Sequence, residues 1–206
     1  MVTIIDYHAG NIASINNMLG KLGVRGVITN DIEAIRKATK IIVPGVGSFD
    51  YGMGKLNELG LLSILNQKVL NEKTPCLGIC LGAQLMCLRS EEGSLPGLGW
   101  IDAQVRKFPT QVNGSRYPVP HMGWDVVMPA KASRLTADLD DNPRFYFVHS
   151  YYITCDDRRD ALLTNRYGID FDSAFEKDNI LGVQFHPEKS HKFGKALLRN
   201  FIDSYQ

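Results

Sequence analysis

The run Pro75-Cys76-Leu77-Gly78-Ile79-Cys80-Leu81-Gly82-Ala83-Gln84 carries two secondary-structure patterns back to back. Its first half is a short apolar run with strand character. Its second half begins a helical pattern with no loop between the two. Glycines at 78 and 82 flank Cys80 and leave room for a sharp strand-to-helix turn, the setting of a nucleophile elbow. Such a turn lifts the sulfur out at the top of the strand and sets it at a helix N-terminus, where negative charge is favoured. An ordinary thiol is only a few per cent thiolate at neutral pH, so a nucleophile here needs an activating base.

Upstream the chain alternates the same two patterns. A β-rich run covers residues 2–5, and Ile12, Ile15, Leu19 and Leu22 then recur at helical spacing before Gly23. Residues 24–28 read as a second strand, Asp31 caps a short helix, and 41–43 is a third strand ended by Pro44-Gly45. Leu61, Leu62, Ile64, Leu65, Val69 and Leu70 mark a further helix. This order predicts an α/β fold: an open, mostly parallel sheet flanked by helices. Downstream the character changes. Residues 100–108, 117–120, 125–128, 145–148, 151–155, 174–176 and 181–185 are strand-like, with turn residues between them, and Phe193, Leu197, Leu198, Phe201 and Ile202 close the chain as an amphipathic helix. The second half thus predicts antiparallel strands at the sheet edge and one last parallel strand. No linker divides the chain, so one domain over 1–206 is expected.

A second chemical signal, Gln184-Phe185-His186-Pro187-Glu188, ends the last apolar run. Residues i and i+2 of an extended chain share a side. With Pro187 holding the segment extended, Glu188 can steady one ring nitrogen of His186 while the other takes a proton. Both signals fall at the C-terminal ends of predicted parallel strands, where open α/β sheets place their sites. A third, Pro44-Gly45-Val46-Gly47-Ser48-Phe49, lacks the glycine spacing of a dinucleotide loop. Its backbone N–H groups suit an oxyanion beside Cys80, each donor of that kind lowering a barrier by about 3 kcal/mol.

Composition excludes other classes. With 23 Lys and Arg against 22 Asp and Glu, the 206-residue chain carries a formal charge of +1, too little for a nucleic-acid partner. No run approaches a membrane span, and the N-terminus has neither the basic start nor the cleavage site of a signal peptide, so a cytoplasmic protein is expected. Cys76, Cys80, Cys87 and Cys155 form no C-x-x-C pair, and free thiols without a metal are expected.

The three segments occur in the order found in class I, or triad, glutamine amidotransferases, and the chain resembles that family over nearly its whole length. Further stretches, Asp6-Tyr7 with Gly10-Asn11, Pro120-His121-Met122-Gly123-Trp124, Tyr146-Phe147-Val148-His149-Ser150-Tyr151 and Lys189-Ser190, are similar to the branch formed by the glutaminase subunits of imidazole glycerol phosphate synthases. The resemblance implies a flavodoxin-like sheet and release of ammonia from glutamine, without a cofactor. It implies Cys80 as nucleophile, His186 as proton carrier and Glu188 as its orienter. The oxyanion donors would be the N–H of Leu81 and one from Val46 or Gly47. Gly45, Gly47, Gln84, Ser150 and Tyr151 would hold glutamine. Asn11, His121, Met122, Trp124, Tyr146 and Lys189 would face a cyclase subunit of (β/α)8-barrel fold, forming a heterodimer. Ala83 and Asp125 depart from the family's usual Met and Asn.

Three other readings compete. The same glutaminase could feed another synthase, one acting on surface-sugar precursors. A stand-alone Cys-His γ-glutamyl hydrolase leaves the aromatic segments 120–124 and 146–152 without a purpose. A degenerate binding module would not need Cys80, His186 and Glu188 together.

Overall fold

The computed structural model describes residues 1–205. The strand and helix order begins β1 (Val2–Ile5), α1 (Ile12–Lys21), β2 (Gly26–Thr29), α2 (Ile32–Arg36), β3 (Ile41–Val43), α3 (Phe49–Glu58) and α4 (Leu61–Asn66). After α4, residues 67–71 continue as one π turn, followed by β4 (Cys76–Ile79), α5 (Leu81–Leu85), β5 (Arg89–Ser90) and β6 (Ala103–Lys107). A small hairpin, β7 (Gln111–Val112) and β8 (Ser115–Arg116), precedes β9 (His121–Val126), β10 (Met128–Pro129) and β11 (Arg144–His149). The chain ends with β12 (Tyr151–Cys155), β13 (Ala161–Tyr167), β14 (Ile169–Lys177), β15 (Ile180–Val183) and α6 (His191–Ser204).

The main sheet runs β2-β1-β3-β4-β15-β14-β12-β6-β5. Strands β2, β1, β3, β4 and β15 are parallel, and β14, β12 and β6 continue it antiparallel. The predicted last parallel strand is β15, seated against the elbow strand β4 in the register Val183 opposite Ile79. The two chemical signals, over a hundred residues apart in sequence, therefore emerge from neighbouring strand ends.

The inner parallel strands β1, β3, β4 and β15 are buried on both faces, which is why they read as unbroken apolar runs, whereas the edge strand β2 is partly exposed. In β3, Ile41 and Val43 join one core and Ile42 the other. The first core lies under Phe49 and Leu56 of α3, Leu61 and Leu65 of α4, and Leu81 and Leu85 of α5. The second lies under Ile15 and Leu19 of α1 and Leu197, Leu198 and Phe201 of α6. Each fully buried Leu or Phe removes about 2–3 kcal/mol worth of apolar surface from water. No helix is long and apolar enough to cross a membrane among the described residues.

Several expectations change in detail. Helix α3 was not foreseen: Gly52 and Gly54 interrupt its pattern, yet Phe49, Met53 and Leu56 fall on its buried face. Strand β13 was also missed, and β14 is longer than residues 174–176. Residues 117–120 are a loop and not a strand, since Pro118 and Pro120 cannot donate to a ladder. The strand expected at 125–128 begins earlier, at His121, and pairs with β11 as a separate two-stranded sheet.

Candidate active site

Cys80 sits between β4 and α5 with φ 53° and ψ −112°, a backbone conformation that costs an L residue roughly 1–3 kcal/mol. The neighbours hold it there. Its N–H donates to the Val183 carbonyl at 2.8 Å, and its own carbonyl accepts from the amides of Ala83 and Gln84, both at 3.1 Å. The turn demands glycine on each side because backbones close in. A Cβ on Gly78 would stand 2.7 Å from the Ala83 backbone, and one on Gly82 would collide with the Val43 carbonyl. The Leu81 N–H belongs to the first helical turn, where donors have no partner within the helix.

The neighbouring strand end carries the second signal. Gln184 Nε2 comes within 3.7 Å of Cys80 Sγ, while Phe185, fully buried, packs in the second core and stacks on Phe145 with ring centroids 3.9 Å apart. His186 N–H donates to the Tyr146 carbonyl at 2.9 Å. Ser190 completes the clamp: its hydroxyl donates to the His186 carbonyl at 2.6 Å and accepts the Tyr146 N–H at 3.0 Å. His186 Nδ1 lies 2.8 Å from Glu188 Oε1, with both side chains only 2% exposed. The geometry of this pair differs from the expected extended run. Pro187 opens a 3-10 turn over Pro187–Lys189, and the turn curls Glu188 back beneath the ring.

Burial by itself would lower the His186 pKa. The Cys80 thiol and the Glu188 carboxylate outweigh it, and the pKa is raised to about 9. His186 Nε2 is buried and has no hydrogen-bond partner, so it is available to a proton arriving from the Cys80 side. An imidazole of raised basicity beside a thiol can take its proton and deliver it to a leaving group.

These groups open into a cavity of about 410 Å³. Val46, Gly47, Cys80, Leu81, Gln84 and Glu92 line one part of it. Ser150, Tyr151, His149, His186 and Lys189 line the rest, with Pro120 and Val148. Gly47, at φ 111°, and Val46, 43% exposed, form the loop over the elbow. Tyr7, buried and with its phenol pKa pushed up by burial, donates its hydroxyl to the Pro44 carbonyl at the root of this loop.

Gly45 does not line the cavity. It lies buried beneath the loop, where a Cβ would stand 2.8 Å from Leu81 Cβ. His121 also departs from expectation. The resemblance implies a docking face for it, yet it is 5% exposed and stacks on Tyr167 with centroids 4.2 Å apart. Alternation along β9 turns His121 inward and leaves Met122, Trp124 and Val126 at 61%, 45% and 37% exposure. Trp124 pairs across the ladder with Tyr146 and stacks on His191, and Lys189 Nζ stands 5.7 Å over the Tyr146 ring. Asn11, at the start of α1, is exposed.

Sequence reading missed Glu92, whose Oε2 accepts the Phe49 N–H at 2.8 Å at the cavity wall. It lies in an irregular loop after β5, outside any motif. It also missed the buried couple His149 and His121, 3.1 Å apart between Nε2 and Nδ1. Burial drives the His149 pKa down to about 3.

The family model for class-I glutamine amidotransferase matches residues 3–204. Over 202 residues the chain is 56% identical to imidazole glycerol phosphate synthase subunit HisH 2 of Methanococcus maripaludis, covering 98% of both chains. It is 46% identical to the HisH 2 subunit of Pseudomonas aeruginosa, covering 98% of this chain and 99% of that one. A crystal structure of a glutamine amidotransferase superposes with a TM-score of 0.73 at 18% identity, covering 98% of each chain. PurLQS from Thermotoga maritima gives a TM-score of 0.72 at 15% identity over 98% of this chain and 97% of that one, which speaks to the fold alone. With motif, fold and near-complete matches in agreement, the chain belongs to the class-I glutamine amidotransferases.

Proposed function

We propose that the chain is the glutaminase subunit of an imidazole glycerol phosphate synthase, releasing ammonia from glutamine through Cys80, His186 and Glu188. The observation that carries this reading is the meeting of the Cys80 elbow and the clamped His186–Glu188 pair at the ends of two hydrogen-bonded parallel strands. The similarity to relatives named as HisH subunits supports the assembly.

In this reading the glutamine side-chain amide enters over Cys80. Sγ bonds the amide carbon as a thiolate, its proton already held on His186 Nε2. The carbonyl oxygen becomes an oxyanion, met by the Leu81 N–H and by one from Val46 or Gly47, each donor lowering the barrier by about 3 kcal/mol. His186 then passes its proton to the departing nitrogen, and the C–N bond breaks to give ammonia and a thioester. Water, giving its proton to His186, opens the thioester to glutamate and restores the thiol. Glu188 keeps Nδ1 protonated and the ring aimed throughout. Gly47, Gln84, Ser150 and Tyr151 hold the amino acid, and Glu92 suits its α-ammonium group. Gly45 serves by packing under the loop.

Ammonia released to water at neutral pH is mostly protonated and cannot attack, which favours delivery straight to a docked (β/α)8-barrel cyclase. There it would complete imidazole glycerol phosphate and the carboxamide ribotide AICAR of histidine biosynthesis. The exposed aromatic face, with Met122, Trp124, Tyr146 and Lys189 beside the cavity mouth and Asn11 on α1, suits that partner in a cytoplasmic heterodimer. The test is a mixing assay. Glutamate release by the purified chain should be slight and should rise by orders of magnitude with the cyclase subunit and its ligand. High turnover without a partner, or activation only by a different synthase, would contradict the assembly.

A further inference from the structure

One buried amide at the site has no part in this mechanism. Gln184, fully buried at the end of β15, places Nε2 3.7 Å from Cys80 Sγ. A side-chain amide can be turned end for end without changing its shape, so its direction has to follow from its partners. Here they leave one solution. The Tyr151 carbonyl can only accept, and the Gln84 amide 3.1 Å from it must present its NH2 end. That same NH2 lies 2.9 Å from the Gln184 amide, which must therefore turn its oxygen to Gln84. The end of Gln184 left over, facing the sulfur, is a donor.

His149 fixes the carbonyl from the other side. Its Nδ1 is 2.7 Å from the same Tyr151 oxygen and so must carry hydrogen. Its pKa of about 3 keeps it neutral, with Nε2 free to accept from His121. The Tyr151 carbonyl is thus the fixed start of a line that runs through Gln84 and Gln184 to the nucleophile.

We propose that Gln184 donates a hydrogen bond to the Cys80 sulfur, aiming it at the substrate and stabilising its thiolate, with the donor's direction set by Gln84 and the Tyr151 carbonyl. A hydrogen bond to an anion is stronger than one to its neutral acid, so removing such a donor makes the anion harder to form. The proton leaving Sγ still goes to His186. The proposal rests on Cys80 being the nucleophile, and its test reads the sulfur directly.

The experiment is the pH dependence of Cys80 alkylation by iodoacetamide in the full chain, with the modified cysteine located by peptide mapping. Gln184→Met removes the donor at similar volume and should move the midpoint up by about one to two pH units. Gln184→Glu keeps the acceptor for Gln84 but turns a carboxylate oxygen to the sulfur, and should move it further. Folding is checked by circular dichroism. A midpoint unmoved in both folded variants overturns the proposal. Should neither variant fold, the side-chain amide protons of Gln184 in the parent chain must shift in NMR spectra as Cys80 titrates, and resonances that stay constant overturn it equally. Glutamine hydrolysis by Cys80→Ala would instead defeat the nucleophile assignment, so the two failures are distinguishable.

Discussion

Two histidines line the same cavity and live under opposite electrostatics. His186 has a carboxylate at 2.8 Å and a thiol beside it, and its pKa rises to about 9. His149 faces the Tyr151 carbonyl and the His121 imidazole, and burial above all, with His121 and His186 adding to it, takes its pKa down to about 3. Residue type is the same and depth is similar. The anionic neighbours decide which ring accepts a proton and which stays a neutral strut. The chemistry of this cavity is thus written in second neighbours, and each can be altered separately.

Substituting each ring in turn separates them most strongly. If His186 carries the proposed proton transfers, His186→Asn should lower kcat for glutamine hydrolysis in the proposed assembly by about 10³-fold. His149→Asn should cost no more than about tenfold, because only the support of the Tyr151 carbonyl changes. Equal losses, measured by glutamate release in the assembled enzyme, would erase the distinction. Next in size is Glu188→Gln. The amide keeps a hydrogen-bond partner for Nδ1 but removes the charge, so kcat should fall by roughly 10²-fold and the His186 pKa should drop, as read by NMR titration.

The smallest effect concerns stability, and the two signs are opposite. His186 has a folded pKa above its unfolded value of about 6.5. Its contribution is complete below that value and is lost as pH rises through about 9. His149 has a folded pKa below its unfolded value. Its contribution is complete above about pH 6.5 and is lost as pH falls toward about 3. The melting temperature should therefore decline on both flanks, by a few degrees from each histidine. His149→Asn should flatten the acid limb and His186→Asn the alkaline one. A substitution that flattens the wrong limb would show that the environments have been misassigned.

The sequence disclosed the half of the site built from contiguous segments. β3 and β4 are buried on both faces, so their apolar runs are continuous, and Cys80 and His186 follow directly from strand ends. What it hid depends on contacts between distant segments. Glu92 reaches the cavity from a loop with no periodicity. Gln184 stands within a motif, but its partner Gln84 is a hundred residues away and nothing local gives its direction. His121 lies between exposed-looking aromatics, and only the onset of β9 at that residue turns it inward. The His186–Glu188 pairing was legible, but its 3-10 turn was not, because Pro187 suits an extended chain and a helix start equally well.

The proposed reaction turns on the Cys80 sulfur forming the bond to glutamine. The test is intact-protein and peptide mass spectrometry of the chain, mixed with the proposed ligand-loaded cyclase, after exposure to a chloroketone analogue of glutamine. One adduct, on Cys80, blocked by glutamine and absent from Cys80→Ala, is the predicted result. Labelling at Cys76, Cys87 or Cys155 in its place, or glutamine hydrolysis that persists in Cys80→Ala, would contradict it.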